Sequence, residues 1–317
     1  MIAAPARASD PPTMFVKILG AAAGGGLPQW NCGCRNCVDA RRGLIPAMSQ
    51  SSVAVSADGN EWLLLNASPD IRDQLRASGL HPPGLRGSPV SAVVLTNGDI
   101  DHIAGLLVLR ESTPFAIHAT PATLAILDQP VFGVLNPDLV RHRPIGLDRP
   151  FDPLPGLRVT AFAVPGKVAL FLEQGGEVET DLIGEQTIGL RIEGGGRRLF
   201  YIPGCARVTP ELCDRIADAD LLLFDGTVWS DDEMSRTGTG AKTGARMGHI
   251  AMSGPDGSMA ALSDVSLAHR VFIHVNNTNP VLQPAGPERA MAEAADKVRI
   301  CSTCGNVDTA DPCLICT

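Results

Sequence analysis

Val93-Val94-Leu95-Thr96-Asn97-Gly98-Asp99-Ile100-Asp101-His102-Ile103-Ala104-Gly105 is the stretch on which the fold turns. Its apolar opening has the length and β-branching of a strand buried on both faces. A polar turn with two Asp and a His follows, and then a helix-like stretch over Ile103–Arg110. Polar groups gathered at the end of a buried strand are costly unless metal, substrate or hydrogen bonds satisfy them. The plainer alternative is a turn plus a helix cap, with Asp101 as a simple N-cap.

Outward from this point, short apolar runs bounded by Gly, Pro, Asn and Asp recur along most of the chain. Strands are predicted at Phe15–Leu19, Ser52–Val55, Trp62–Asn66, Ala92–Thr96, Val159–Val164, Thr187–Ile192, Leu199–Ile202, Leu221–Asp225 and Val271–Val275. Helices are predicted at Ile71–Ala77, Pro121–Leu127 and Pro210–Ala217, the last with Thr209 as N-cap and Pro at its first position. The strands fall in two batches, roughly 15–120 and 157–276. That order predicts an α/β protein of αββα type: two mixed β-sheets packed together with helices outside, not a doubly wound sheet.

The chain has 317 residues, 44% apolar and 19% charged, with net charge −8. The acidic balance gives no reason to expect nucleic acid as a partner, and no apolar run is long enough to span a bilayer. Residues 1–14 read as a disordered N-terminal extension without the apolar core of a secretory signal. Seven of the nine cysteines are concentrated in two tight clusters, with Cys205 and Cys213 apart; such clusters suit metal better than disulfides and predict a cytoplasmic protein. A homodimer is compatible with this composition.

The segment Thr96–Gly105 resembles the signature loop of the metallo-β-lactamase superfamily, T-H-x-H-x-D-H-x-x-G. Asp101, His102 and Gly105 match; Asn97 and Asp99 stand where two histidines would be. Ala163-Val164-Pro165-Gly166-Lys167, the counterpart of a third ligand position, has no histidine, and no Asp stands at Gly204-Cys205 to bridge two metals. The resemblance therefore implies that the first metal site is dismantled. The second, Asp101 and His102 with His274 from Phe272-Ile273-His274-Val275-Asn276-Asn277, is kept. Two histidines and one carboxylate are the facial set of non-haem Fe(II) sites that handle O₂.

Longer segments resemble one family, the pyrroloquinoline quinone (PQQ) biosynthesis protein B family. They are Lys17–Cys32 (KILGAAAGGGLPQWNC), Asn66–Arg72 (NASPDIR), Val164–Leu170 (VPGKVAL), Phe224–Met234 (FDGTVWSDDEM), Met247–His249 and Ile273–Pro280. The resemblance spans about 15–290, taken as one metallo-β-lactamase-like domain. It implies an iron- and O₂-dependent hydroxylase acting on the tyrosine-derived ring of a cross-linked Glu–Tyr precursor of PQQ. Asp99, Asp225 and His249 are then candidates to orient substrate or move protons. Ser68 and Asp70 are candidates to line the pocket, and Lys167 to hold substrate carboxylates. Two further readings stay open: a non-catalytic carrier of PQQ or its precursor, and a zinc-dependent hydrolase.

Cys32, Cys34 and Cys37 are predicted to bind a structural Zn²⁺ within a loop. By the superfamily's pattern Asn277 falls at the fourth position, which is left open because Asn is a poor zinc ligand. Cys301, Cys304, Cys313 and Cys316 have the spacing of a four-cysteine zinc site, and Lys297–Thr317 resembles the zinc finger of the RecR recombination mediator. Residues 291–317 are therefore set apart as a helix plus zinc-finger-like tail. A helix is predicted at Pro287–Arg299, and the absence of a closing strand after it leaves a sheet edge to be covered.

Overall fold

In the computed structural model the chain is described over residues 14–173 and 179–296. Two six-stranded mixed sheets lie face to face. The first contains β1 (Phe15–Gly20), β2 (Ser52–Ser56), β3 (Trp62–Leu65), β4 (Val90–Val94), β5 (Phe115–Ala119) and β6 (Val140–Pro144) in that spatial order. β1–β3 run antiparallel and β3–β6 parallel. The second contains β7 (Pro150–Leu154), β8 (Leu157–Ala163), β9 (Ile188–Gly194), β10 (Arg197–Ile202), β11 (Leu221–Asp225) and β12 (His269–Ile273), antiparallel up to β10 and parallel from there to β12. The expected αββα sandwich is the observed one.

Strand periodicity explains the layering. Leu63 and Leu65 of β3 point into the core between the sheets, with Val159, Leu190 and Tyr201 opposite. Trp62 and Leu64 point outward, into a second core under the helices. A strand buried on both faces reads as continuous apolar sequence, which makes the central strands readable. The outer core on the first sheet is covered by α2 (Ile71–Ala77), α3 (Ile100–Ile103) and α4 (Pro121–Ile126). On the second sheet, α1 (Arg35–Arg41) and α5 (Pro210–Ile216) cover a third core. The short helices α6 (Glu233–Arg236), α7 (Gly244–Met247) and α8 (Ser258–Ala261) lie between β11 and β12, and α9 (Pro287–Asp296) follows.

The structure departs from the sequence expectations in several places. β5, β6 and β7 are not among the predicted strands. β6 and β7 are edge strands: β6 exposes Arg141, His142 and Arg143, and β7 carries two prolines, as edges tolerate. The helix expected over Ile103–Arg110 begins earlier, at Ile100, and tightens into a 3₁₀ turn at Ala104–Leu107. Cys34 and Cys37 are not in a loop: Cys34 occupies the N-cap of α1 and Cys37 lies in its first turn. Thr209 caps α5 as expected, its hydroxyl accepting from Leu212 N.

The segment 1–13 lies outside the described residues, whereas Met14 packs against the core between the sheets. Cys301, Cys304, Cys313 and Cys316 also lie outside them. α9 runs unbroken across Ala290–Met291, and Ala292 is buried in the third core. Among the described residues β12 pairs only with β11, so it forms an edge of its sheet.

Candidate metal centre

The site is built where the two sheets present neighbouring strand ends. The glycine-rich turn after β1 bonds across to the end of β12: Ala23 N donates to Val275 O and Val275 N to Ala21 O. β4 delivers the turn Leu95–Asp99, and α3 sets Asp101 and His102 one after the other. Asp99, not Asp101, occupies the N-cap of α3. Gly105 lets this corner close on the turn after β3, since a Cβ there would lie 2.2 Å from Ser68 O and 2.7 Å from Ala67 O. Two backbone bonds, Gly105 N to Ala67 O and Ala67 N to His102 O, seal the contact.

His274 follows β12 with φ at 57°, a left-handed conformation unusual for a residue with a side chain. It brings Nε2 to 3.0 Å from Asp101 Oδ2. The ring of His102 lies edge-on to that of His274, with centroids 5.3 Å apart. One donor atom from each of Asp101, His102 and His274 lies within 4.8 Å of the others. His102 Nδ1 is 2.6 Å from Asn97 Oδ1, so it carries the proton and donates. His102 Nε2 is buried and makes no hydrogen bond. A buried lone pair without a partner, beside a carboxylate and a second imidazole, fits a divalent metal.

Burial opposes the Asp101 charge, yet His102 and the His274 hydrogen bond hold its carboxyl well below the usual range. Burial likewise opposes charge on His274, but the Asp101 and Asp225 carboxylates raise its pKa. Burial depresses that of His102.

Beside this triad lies a second group, Asp225, His249 and His274, with donor atoms equally close. Asp225 is fully buried at the end of β11. Its Oδ1 accepts from Thr227 N and the Thr227 hydroxyl; its Oδ2 accepts from Cys205 N and pairs with His249 Nδ1 at 2.7 Å. All its lone pairs are thus engaged, which makes it a poor metal ligand and a good orienter of His249. The Thr227 hydroxyl also stands 2.9 Å from His274 Nδ1. With its proton given to Asp225, it accepts from His274 Nδ1 and leaves His274 Nε2 to face Asp101. His249 stacks on His274, centroids 5.2 Å apart.

The other sequence candidates are placed less directly. Asp99 Oδ2 accepts from the Asn97 amide and Oδ1 from Leu170 N, so it holds the 168–173 segment at the rim. Lys167 meets Glu173 at 3.2 Å. Ser68 bonds Ser52 and Gln74, and Asp70 bonds Gln50; none of these bonds reaches the triad. Thr227, and Asn97 as partner of His102, are functional groups that the sequence reading misses. The available signal is an Asp-x-Thr at a strand end for Thr227, and for Asn97 a polar residue at an otherwise lost ligand position.

Cys32, Cys34 and Cys37 bring their sulfurs within 4.8 Å of one another. The Asn277 amide nitrogen lies 3.1, 3.5 and 3.3 Å from the three. An amide shows oxygen or nitrogen to a site by a simple flip, so the same position offers an oxygen to a metal. Burial pushes the Cys34 thiol up to about 11. Cys32 is lowered: burial opposes this, and hydrogen bonds from Cys34, Cys37 and Asn277 outweigh it. Buried Asn36 of α1 donates to Asn277 O and Asn279 O and ties the cluster to the strand end that carries His274.

Two sheets in an αββα sandwich, with an Asp-His loop and a late histidine at their shared edge, define a metallo-β-lactamase-fold protein. The family model described as a beta-lactamase superfamily domain matches residues 61–275, and one for the four-cysteine zinc finger domain of RecR matches 298–317. Coenzyme PQQ synthesis protein B of Ruegeria pomeroyi is 58% identical over 87% of this chain and 94% of its own length. The crystal structure of Zn²⁺-bound PqqB from Methylobacterium extorquens superposes with a TM-score of 0.87 at 57% identity, over 89% of this chain and 95% of that one. A diphosphatase of the PhnP family, 19% identical with a TM-score of 0.61 over 84% and 88%, shares the fold. The chain belongs to the coenzyme PQQ synthesis protein B family.

Proposed function

We propose that the protein acts in PQQ biosynthesis as an Fe(II)- and O₂-dependent hydroxylase of the tyrosine-derived ring of a cross-linked Glu–Tyr precursor. The observation that carries this reading is the two-histidine, one-carboxylate set of Asp101, His102 and His274, with the His102 Nε2 lone pair unsatisfied. Fe(II) held there would supply activation of O₂, because three protein ligands leave positions open. Asn97 fixes the tautomer of His102, and Thr227 that of His274. Asp225 Oδ2 accepts a hydrogen bond from His249 Nδ1–H, so His249 Nε2 is the nitrogen left to accept a proton from a ring hydroxyl. The Cys32, Cys34 and Cys37 sulfurs hold a structural Zn²⁺, with the Asn277 oxygen as fourth ligand. The working unit is the domain spanning 15–290, in the cytoplasm; the tail 291–317 carries its own four-cysteine zinc and no part of the chemistry.

A zinc hydrolase is the second reading, favoured by the Asp225–His249–His274 group and by the Zn²⁺-bound relative. The full hydrogen bonding of Asp225, and Asn97 and Asp99 at the first-metal positions, weigh against a second ion. Anaerobic protein loaded with Fe(II) is expected to consume O₂ and hydroxylate a tyrosine-derived substrate. Equal turnover with Zn²⁺, indifferent to O₂, would sink the hydroxylase. Binding of the precursor with no turnover under either metal would make the protein a carrier.

A further inference from the structure

Glu173 lies between two cations at the rim of the site. Its Oε1 is 3.2 Å from Lys167 Nζ, and both side chains are only 10% exposed. The Arg246 guanidinium takes the same carboxylate with both arms, Nη1 to Oε1 at 3.2 Å and Nη2 to Oε2 at 2.8 Å. Two positive charges converge on one negative charge, in the forked geometry by which Arg recognises carboxylates.

The position of the pair matters as much as its chemistry. Arg246 belongs to α7, which ends at Gly248 and hands on directly to His249. Gly248 is left-handed, and a Cβ there would meet Lys167 Cγ at 3.0 Å, so the Lys167 stem lies flat against the turn before His249. On the other side, Leu170 N reaches Asp99. The cations therefore stand on the rim between His249 and Asp99, next to the triad. Leu170, Phe171 and Leu172, just before Glu173, are each about half exposed. Little apolar burial anchors this segment, so Glu173 can leave its partners without opening the core.

We propose that Lys167 and Arg246 form a binding site for a ligand carboxylate, and that Glu173 is the internal carboxylate that fills it until the ligand takes its place. The inference rests on the PQQ-type ligand proposed above and specifies it as a polycarboxylate. The exchange conserves charge at the rim. The Arg246 fork and Lys167 hold the Glu173 carboxyl down to about 2, so the competitor is ionised at neutral pH.

The test is calorimetric titration of the full-length, metal-loaded protein with PQQ, a tricarboxylate, and with its uncharged trimethyl ester. Glu173→Gln is expected to bind PQQ about tenfold more tightly, because the internal competitor has lost its charge. Lys167→Met and Arg246→Met are expected to bind it about tenfold or more weakly. Affinity for the ester should move with none of them. If PQQ binds the wild type and its affinity is unchanged in Glu173→Gln, the inference is overturned while the ligand class stands. Equal shifts for PQQ and ester would also overturn it, since rearrangement of the segment rather than carboxylate exchange would then be responsible. Failure of every correctly folded variant, and of the wild type, to bind PQQ would remove the ligand class and the site together. Should Arg246→Met fail to fold, Glu173→Gln decides alone, since it replaces one oxygen by an amide nitrogen.

Discussion

Asn97 and Thr227 determine which nitrogen each of the two triad histidines presents. Asn97 occupies a lost ligand position and holds His102 Nδ1 at 2.6 Å. Orienting partners of this kind typically change metal affinity by about 10–100-fold. Asn97→Ala is therefore expected to weaken metal at the triad by about that factor in a competitive chelator titration, leaving the cysteine cluster loaded. Asp101→Ala or His274→Ala should abolish metal at the triad and spare the cluster; loss of both metals together would show the sites to be misassigned. A second residue-scale prediction concerns Glu233, which is buried and accepts from Trp229 N and the Thr278 hydroxyl. Burial raises its pKa from 4.5 to about 7. An acid raised on folding stabilises the native state below its unfolded pKa, and that contribution is lost as pH rises through about 7. Between pH 5 and 8 the wild type should lose roughly 2–3 kcal/mol relative to Glu233→Gln, measured by urea unfolding. A stability difference that does not change with pH would refute the assignment.

At the scale of elements, the apolar strands were legible, including the edges β1 and β12, whereas interior β5 and the polar edges β6 and β7 were not. β3 and β11 announce themselves as unbroken apolar runs, whereas β6 exposes charge along most of its length and β7 interleaves Pro and Asp. Caps were legible too, because capping is local: Thr209 and Pro210 open α5 as their order implied. Thr209→Ala should cost about 1 kcal/mol in urea unfolding with an unchanged m-value. The α1 helix was hidden because its first turn is written in cysteines and Asn rather than in helix formers. The corner at Gly105 predicts a sharper effect. With the Ser68 and Ala67 carbonyls 2.2 and 2.7 Å from any Cβ, Gly105→Ala must push the corner after α3 outward. Metal at the triad should fall more than global stability does, seen as loss of bound metal from protein that still unfolds cooperatively.

At the scale of the molecule, the two candidate metal sites share one strand end. His274 and Asn277 stand three residues apart after β12, and the loop Asn277–Asn279 is bonded by Asn36 at its carbonyls and by Glu233 at the Thr278 hydroxyl. Removing zinc from the cysteine cluster should therefore disturb the triad as well as α1. Cys37→Ser is expected to lose that zinc, lower Tm by roughly 5–10 °C and weaken triad metal binding. An unaltered triad affinity after zinc loss would show the two sites to be independent.

The sequence by itself determined the layered α/β architecture, the family and the identity of the residues of the candidate triad. Apolar periodicity reports burial face by face, and the motif fixes Asp101, His102 and Gly105 by local spacing. Only the tertiary structure decided which groups meet. Asp101 and His274 are 173 positions apart, and the grip of Arg246 on Glu173, 73 positions away, comes from folding alone. So does the sharing of the Thr227 hydroxyl by Asp225 and His274. Periodicity records whether a side chain is covered; it carries no record of which distant polar group covers it. That choice is made when two sheets close on each other and every buried donor must find an acceptor.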